Sequence, residues 1–135
     1  MGKKFWLGLI AYIVPSFPLA FAWHLTIFAD NYAKLDLLRA DPILPMGFAT
    51  MLIQGAIFSW AYPRLFSTER TNWISSAAKA FVVFGLLAWS YAVLAVAAKT
   101  QMNSASQFLA LESGWTALQF AVTMPLLAWV WRQTE

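Results

Sequence analysis

The chain reads as an all-α membrane protein, a four-transmembrane-helix bundle forming a single domain over residues 1–135, and three observations predict this. Of its 135 residues 61% are apolar and 11% charged, where an ordinary soluble domain carries roughly 25% charged residues. Eight Trp and eleven Phe are more large apolar surface than so short a chain can bury in a core of its own, so much of it is expected to face lipid. Four apolar stretches, 5–29, 43–62, 74–98 and 108–131, each come near the roughly 20 residues that cross a hydrocarbon core about 30 Å thick. An individual segment in lipid satisfies its own backbone groups only as a helix, and these stretches lack the strict alternation of barrel strands.

The first stretch follows Lys3 and Lys4 and contains Ala20-Phe21-Ala22, which imitates a signal-peptide cleavage site. The apolar run continues through Trp23 to Ala29, too long for a signal peptide, so a retained helix is expected. Trp6 stands where a myristoylation signal has Ser or Thr. Pro15 and Pro18 each remove a backbone donor and crowd the preceding turn, which predicts a kink or local unwinding near mid-membrane. In the following segment, Tyr32, Leu35 and either Leu38 or Arg39 fall at helical spacing, so it either extends helix one or lies along the interface. Helix two opens at Asp41-Pro42 and Pro45 and is closed by Pro63, and the polar run from Ser67 to Asn72 forms the next loop. Helix three carries Gly85, Ala88, Ala92, Ala95 and Lys99 on one face, small side chains that let a neighbour approach closely. Asn103-Ser104-Ala105-Ser106 offers N-caps before helix four.

With four crossings, the two ends and the middle loop share a side. That side holds Lys3, Lys4, Arg64, Arg70 and Arg132, with Lys79 within snorkelling reach. The other side holds Lys34, Arg39 and Lys99, offset by Asp30, Asp36 and Asp41. Both the N and the C terminus are therefore expected in the cytoplasm. Trp6, Tyr62, Trp73, Trp129 and Trp131 near segment ends on that side make an aromatic belt.

Ionisable and polar groups within spans are functional candidates by default, and each also has a plainer role. Glu112, Thr116, Gln119 and Thr123 share one face of helix four, which should point into protein. The plainer role is interhelical hydrogen bonding, often worth only about 0.6 kcal/mol per contact. Lys99 and Glu112 should lie at similar depth on antiparallel neighbours, and an ion pair between them is expected. His24, the single histidine, is either a hydrogen-bonded packing residue or a partner of Glu112 in a proton-relay or metal site. Three ligands of suitable type are hard to assemble, so no metal is expected. Gln54 is read either as polar glue to Gln119 or as part of a midplane site with Ser90, Tyr91 and Gln119.

The composition and motifs also exclude chemistry. No cysteine is present, which removes disulfides, thiolate metal sites, iron–sulfur ligation and a Cys nucleophile. No P-loop, dinucleotide-binding glycines, HExxH, GxSxG or paired acidic cluster occurs. No cofactor is expected. The net charge of +3 is spread along the chain without a basic cluster, which argues against nucleic acid.

Trp23-His24 with Phe28 and Tyr32, Met51-Leu52-Ile53-Gln54-Gly55, Tyr62-Pro63, Ala97-Ala98-Lys99, Leu111-Glu112 and Gln119-Phe120 together resemble small bacterial four-helix membrane proteins known as domains of unknown function. The resemblance spans most of the chain. It implies a bacterial inner-membrane location and carries no activity, substrate or catalytic residue. Three function classes follow for a protein whose first partner is the lipid bilayer. One is a non-enzymatic accessory or structural subunit of a larger membrane complex. Another is a small homo-oligomeric transporter or channel with Glu112, His24 and Lys99 at an outer vestibule and Gln54 and Gln119 at the midplane. The third is a membrane enzyme acting on a lipid or quinone with His24 and Glu112 as acid and base.

Overall fold

A computed structural model describes residues 2–37, 39 and 41–133, and among them the chain is all-helical with no strand. Helix α1, Lys3–Ala22, runs unbroken through Pro15 and Pro18. The departure from α geometry comes later, in a π-helical turn at Trp23–Ile27, where the Phe28 amide donates to the Trp23 carbonyl five residues back at 3.1 Å. Helix α2, Ala29–Leu35, follows and stops at Asp36, whose φ of 53° is the left-handed conformation that a short polar side chain tolerates. Tyr32 and Leu35 are buried, so their helical spacing does mark a packed face. Arg39 is exposed, and Leu38 lies outside the described residues.

Helix α3, Leu44–Leu65, holds Pro45 in its first turn, where the missing donor has no intrahelical partner to lose. Pro63, expected to close this helix, sits inside its last turn. A proline deletes only its own bond to the carbonyl four residues back, and the Phe66 amide still closes the turn on Tyr62 at 3.0 Å. A 3₁₀ turn at Arg70–Asn72 leads into α4, Trp73–Trp89, which continues through a second π turn, Ser90–Leu94, into α5, Ala95–Lys99. Helix α6, Ala105–Trp131, starts three residues before the expected position because Ser104 caps it, its Oγ accepting the Gln107 amide hydrogen at 3.2 Å.

Three helical runs, Lys3–Ile27, Leu44–Leu65 and Arg70–Lys99, are long and apolar enough to cross a membrane. Helix α6 has the length, but its interior is interrupted by Thr116, Gln119 and Thr123, all buried together with Trp115, Phe120 and Met124. It is the element around which the bundle is built, lying against both α1 and α4, while α1 also packs on α3. At Gly8 the α1 backbone comes so close to its neighbours that a Cβ would meet Ser59 Oγ at 2.3 Å and Leu127 at 2.9 Å. Nearby, Ser59 Oγ donates to the Phe5 carbonyl at 2.8 Å. Helices α3 and α4 meet through Phe58 stacked on Phe84, ring centroids 4.7 Å apart. Outside this core large apolar side chains such as Val14, Ile53, Trp60, Leu86 and Trp129 are exposed, as lipid would allow and water would not.

The two poles of the bundle are tied by hydrogen bonds. At one, Lys4 Nζ donates to the Arg132 carbonyl at 2.7 Å and the Gln133 amide to Thr68 at 2.8 Å, so residues near both chain ends meet the loop between α3 and α4. Arg64 and Arg132 lie over the Trp60 and Trp129 rings at this pole, 4.3 and 4.6 Å from the centroids. At the other pole Asn103 bonds Leu35 through its backbone amide and Lys34 through its side chain, at 3.1 and 2.9 Å.

Candidate functional site

The inward stripe of α6 begins, near the Asn103 pole, with Glu112. Gly114, two residues on, leaves room for the π turn after α1, since a Cβ there would touch the Trp23 ring at 3.2 Å. The π turn of α1 thus sits against this point and presents His24, while α2 brings Tyr32. Glu112 Oε1 accepts the Tyr32 hydroxyl hydrogen at 2.5 Å and lies 3.2 Å from His24 Nε2. Tyr32 accepts in turn from Trp23 Nε1 at 3.2 Å. The His24 ring is held between Tyr32 and Trp115, at centroid distances of 4.8 and 5.1 Å. The side chains of His24 and Glu112 are 22% and 16% exposed, so the pair is largely withdrawn from solvent.

The partners fix the proton inventory. His24 Nδ1 faces the Ala20 carbonyl at 3.0 Å, and a carbonyl only accepts, so Nδ1 carries hydrogen. The link between Nε2 and Glu112 then holds one further proton, on the imidazole beside a carboxylate or on the carboxyl beside a neutral ring. Burial, and next the Glu112 carboxyl it bonds, push the Tyr32 phenol above its ordinary value, so Tyr32 remains a donor.

Towards the middle of the bundle, Gln119 Nε2 donates to Tyr12 Oη at 2.9 Å and to Ser16 Oγ at 3.3 Å, and the Tyr12 hydroxyl donates to Gln54 Oε1 at 2.9 Å. Gln54 and Gln119, expected to bond directly, are thus bridged by Tyr12. Thr116 and Thr123 give their hydrogens to carbonyls of their own helix, Glu112 and Gln119, both at 2.8 Å.

Between these two groups lies a chamber of about 240 Å³, walled by Thr50 and Gln54 of α3, Ala88 and Ala92 of the α4 rod, and Glu112, Trp115, Thr116, Gln119 and Phe120 of α6. Its volume is near the lower end of ligand pockets, roughly 300–1,000 Å³. Of the small-residue face, Gly85 does bring α6 close, where a Cβ would lie 3.7 Å from the Phe120 ring, while Ala88 and Ala92 border the chamber. On the far side of His24 an apolar groove of about 470 Å³ runs between α1 and α3, with Arg39 at its rim.

Three expected site residues fall elsewhere. Lys99 is exposed, and among the described residues no carboxylate lies within ion-pair distance of it; Glu112 is held by His24 and Tyr32 instead. Ser90 and Tyr91 are exposed too, Ser90 Oγ donating to the Leu87 carbonyl at 2.8 Å. Ser90 and Tyr91 follow the buried Gly85 by five and six residues, about 140° and 240° around the helix, and so lie off its inward face; for Lys99 the π turn at Ser90–Leu94 is the cause. One extra residue in a turn rotates all that follows by about 100° relative to an α-helix, so Val93 is buried where the small-residue stripe would have placed Ala92. The sequence reading assigned no site role to Tyr12, Ser16 or Tyr32. Tyr12 and Ser16, four apart in an otherwise apolar helix, are the signal that marks them.

Among the described residues no group of three or more His, Asp or Glu side chains is placed to hold a metal ion. No family model, curated protein or solved structure matches the chain, so the short motifs shared with small bacterial membrane proteins assign no family.

Proposed function

We propose that the chain is a non-enzymatic, multi-pass protein of a bacterial inner membrane, crossing four times with both ends in the cytoplasm, and that it carries a small polar solute through the chamber beside Glu112. The topology is supported by the meeting of Lys4, Thr68, Arg132 and Gln133 at one pole, where most of the basic residues also lie. The carrier reading rests on one observation: a half-buried carboxyl group, Glu112, that contacts His24 and borders a chamber also lined by Gln54, Thr116 and Gln119 in an otherwise apolar bundle.

The test is uptake into proteoliposomes under an imposed pH gradient, using labelled small amines, sugars and organic acids. Gradient-driven uptake of at least one solute is expected, lost in Glu112→Gln and at least tenfold slower in His24→Ala. Uptake no faster than in protein-free liposomes, or unchanged in both variants, removes the reading.

A second reading, an accessory subunit of a larger assembly, is favoured by two apolar grooves of about 320 and 500 Å³ along α4 and α6. It requires a partner that co-purifies in fixed stoichiometry after gentle detergent extraction. An enzyme acting on a lipid or quinone receives less support, because both His24 nitrogens are engaged, one by a carbonyl and one by Glu112.

A further inference from the structure

Glu112 commits one oxygen to the protein. Oε1 receives Tyr32 and faces His24, while Oε2 has no hydrogen-bond partner among the described residues. The Tyr12 bridge leaves two more groups over. Gln119 Oε1, an acceptor, and Gln54 Nε2, a donor, have no partner there either. All three residues border the same chamber, whose remaining surface includes the rings of Trp115 and Phe120. None of these leftover atoms is fully buried, since the buried polar side-chain atoms without partners are Tyr62 Oη and Trp131 Nε1. The residues bordering the chamber therefore carry two unpartnered acceptors, one of them on the carboxyl group, one unpartnered donor and two aromatic rings.

That set selects a ligand. An anion meets Glu112 and no lysine or arginine. A divalent metal ion meets one acidic group, where such ions take about six or more oxygens. A protonated amine satisfies both acceptors, and its organic part lies against aromatic rings, which attract cations by about 0.5–2 kcal/mol. An oxygen on the same molecule would complete Gln54.

We infer that the chamber binds a small organic ammonium ion in exchange for the proton shared by His24 and Glu112. This rests on the chamber being the binding site proposed above. The exchange balances in charge: R–NH3⁺ enters, one proton leaves to water, and what remains is a carboxylate at Glu112, a neutral imidazole still bonded through Nδ1 to Ala20 but with its Nε2 hydrogen bond to Glu112 given up, and the bound ammonium, whose N–H groups donate to the carboxylate. The site is neutral before and after, whichever of the two residues held the proton. Neutrality is what a low-dielectric interior demands, because an unpaired buried charge is costly. The other ionisable groups near the pair are Tyr32 of α2, a donor throughout, and Arg39, exposed at the rim of the groove on the far side of His24. The chamber residues from α3 and the α4 rod are not ionisable, and Lys99 and Tyr91 are exposed off that face.

The measurement is calorimetric titration of the purified full-length chain in detergent with 2-phenylethylamine and with benzylamine, in two buffers of different ionisation enthalpy. One site is expected, with one proton released per ammonium bound and an apparent affinity that rises tenfold per pH unit while the pair holds its proton. The neutral 2-phenylethanol should not bind. Glu112→Gln should weaken binding at least tenfold. Ala92→Leu, at a partly open wall position, should block the chamber with the carboxyl intact, and so serves if the first variant fails to fold. Equal binding of alcohol and amine, absence of proton release, or unaltered binding in both variants overturns the inference. Because the chain has no cysteine, Ala88→Cys, on the chamber wall and in neither groove of α4 and α6, reports by its reaction with methyl methanethiosulfonate whether the chamber admits small molecules. Reaction without binding of either amine overturns the ammonium assignment alone. No reaction overturns the chamber reading as well.

Discussion

A tyrosine near the end of a membrane helix is ordinarily read as an interfacial anchor, and Tyr32 shows how that habit hides a site residue. It is 2% exposed, donates to Glu112 and accepts from Trp23. Tyr32→Phe removes one partner from each, and a buried polar group left short costs about 1–3 kcal/mol. Thermal unfolding in detergent should register that loss; an unchanged midpoint would mean the hydroxyl is not bonded. The alkaline limb carries a further signature. Its phenol is raised above the ordinary 10.0 in the folded chain, so its contribution is complete below pH 10 and is lost as pH climbs beyond it. Tyr32→Phe should lose less stability than the parent above pH 10. Glu112, Thr116, Gln119 and Thr123 are legible without a structure because polar residues at helical spacing in a greasy segment admit one arrangement, facing inward. Tyr32 is not, since a phenol is at home in lipid headgroups, cores and sites alike, and Tyr12 is marked only through its spacing to Ser16.

Helices announce their lengths through their apolar runs, and α4 with α5 ends within a residue of where the sequence places it. What the runs do not announce is phase. Each π turn adds a residue to a turn without changing hydrophobicity, so no pattern of apolar positions reveals it, and the error over Lys99 has this origin. Prolines mislead in the opposite sense. Pro15 and Pro18 predict a kink or local unwinding at their own positions, yet α1 stays α-helical through both and leaves that geometry only at Trp23. Glycine at a helix crossing is easier to interpret. The Gly8 contact leaves no space for a methyl group, so Gly8→Val should force α1 away from Ser59 and Leu127, at about 1–3 kcal/mol for overpacking. Reduced thermal stability, with faster amide exchange at Phe5 and Ser59, is the expected result. Wild-type stability would show that the contact yields readily.

At the level of the whole molecule, composition alone calls for lipid, and the all-helical fold follows from backbone groups that must be satisfied within each segment. The crossing number and orientation are open to direct measurement because the chain lacks cysteine. Single cysteines at Gly2, Ser67 and Gln133 should all react with a membrane-impermeant maleimide from the cytoplasmic side only, and one at Asn103 from the opposite side only. A split between Ser67 and the other two would overturn the four-crossing arrangement. The contact of Lys4 with the Arg132 carbonyl has one more implication. Segments that start and finish the helical bundle are held within the reach of a single lysine side chain, so the polypeptide traces a loop with one narrow seam. Sealing that seam with a short linker and reopening the backbone between Ser67 and Asn72 would reorder the helices in sequence while keeping every one of them beside its present neighbours.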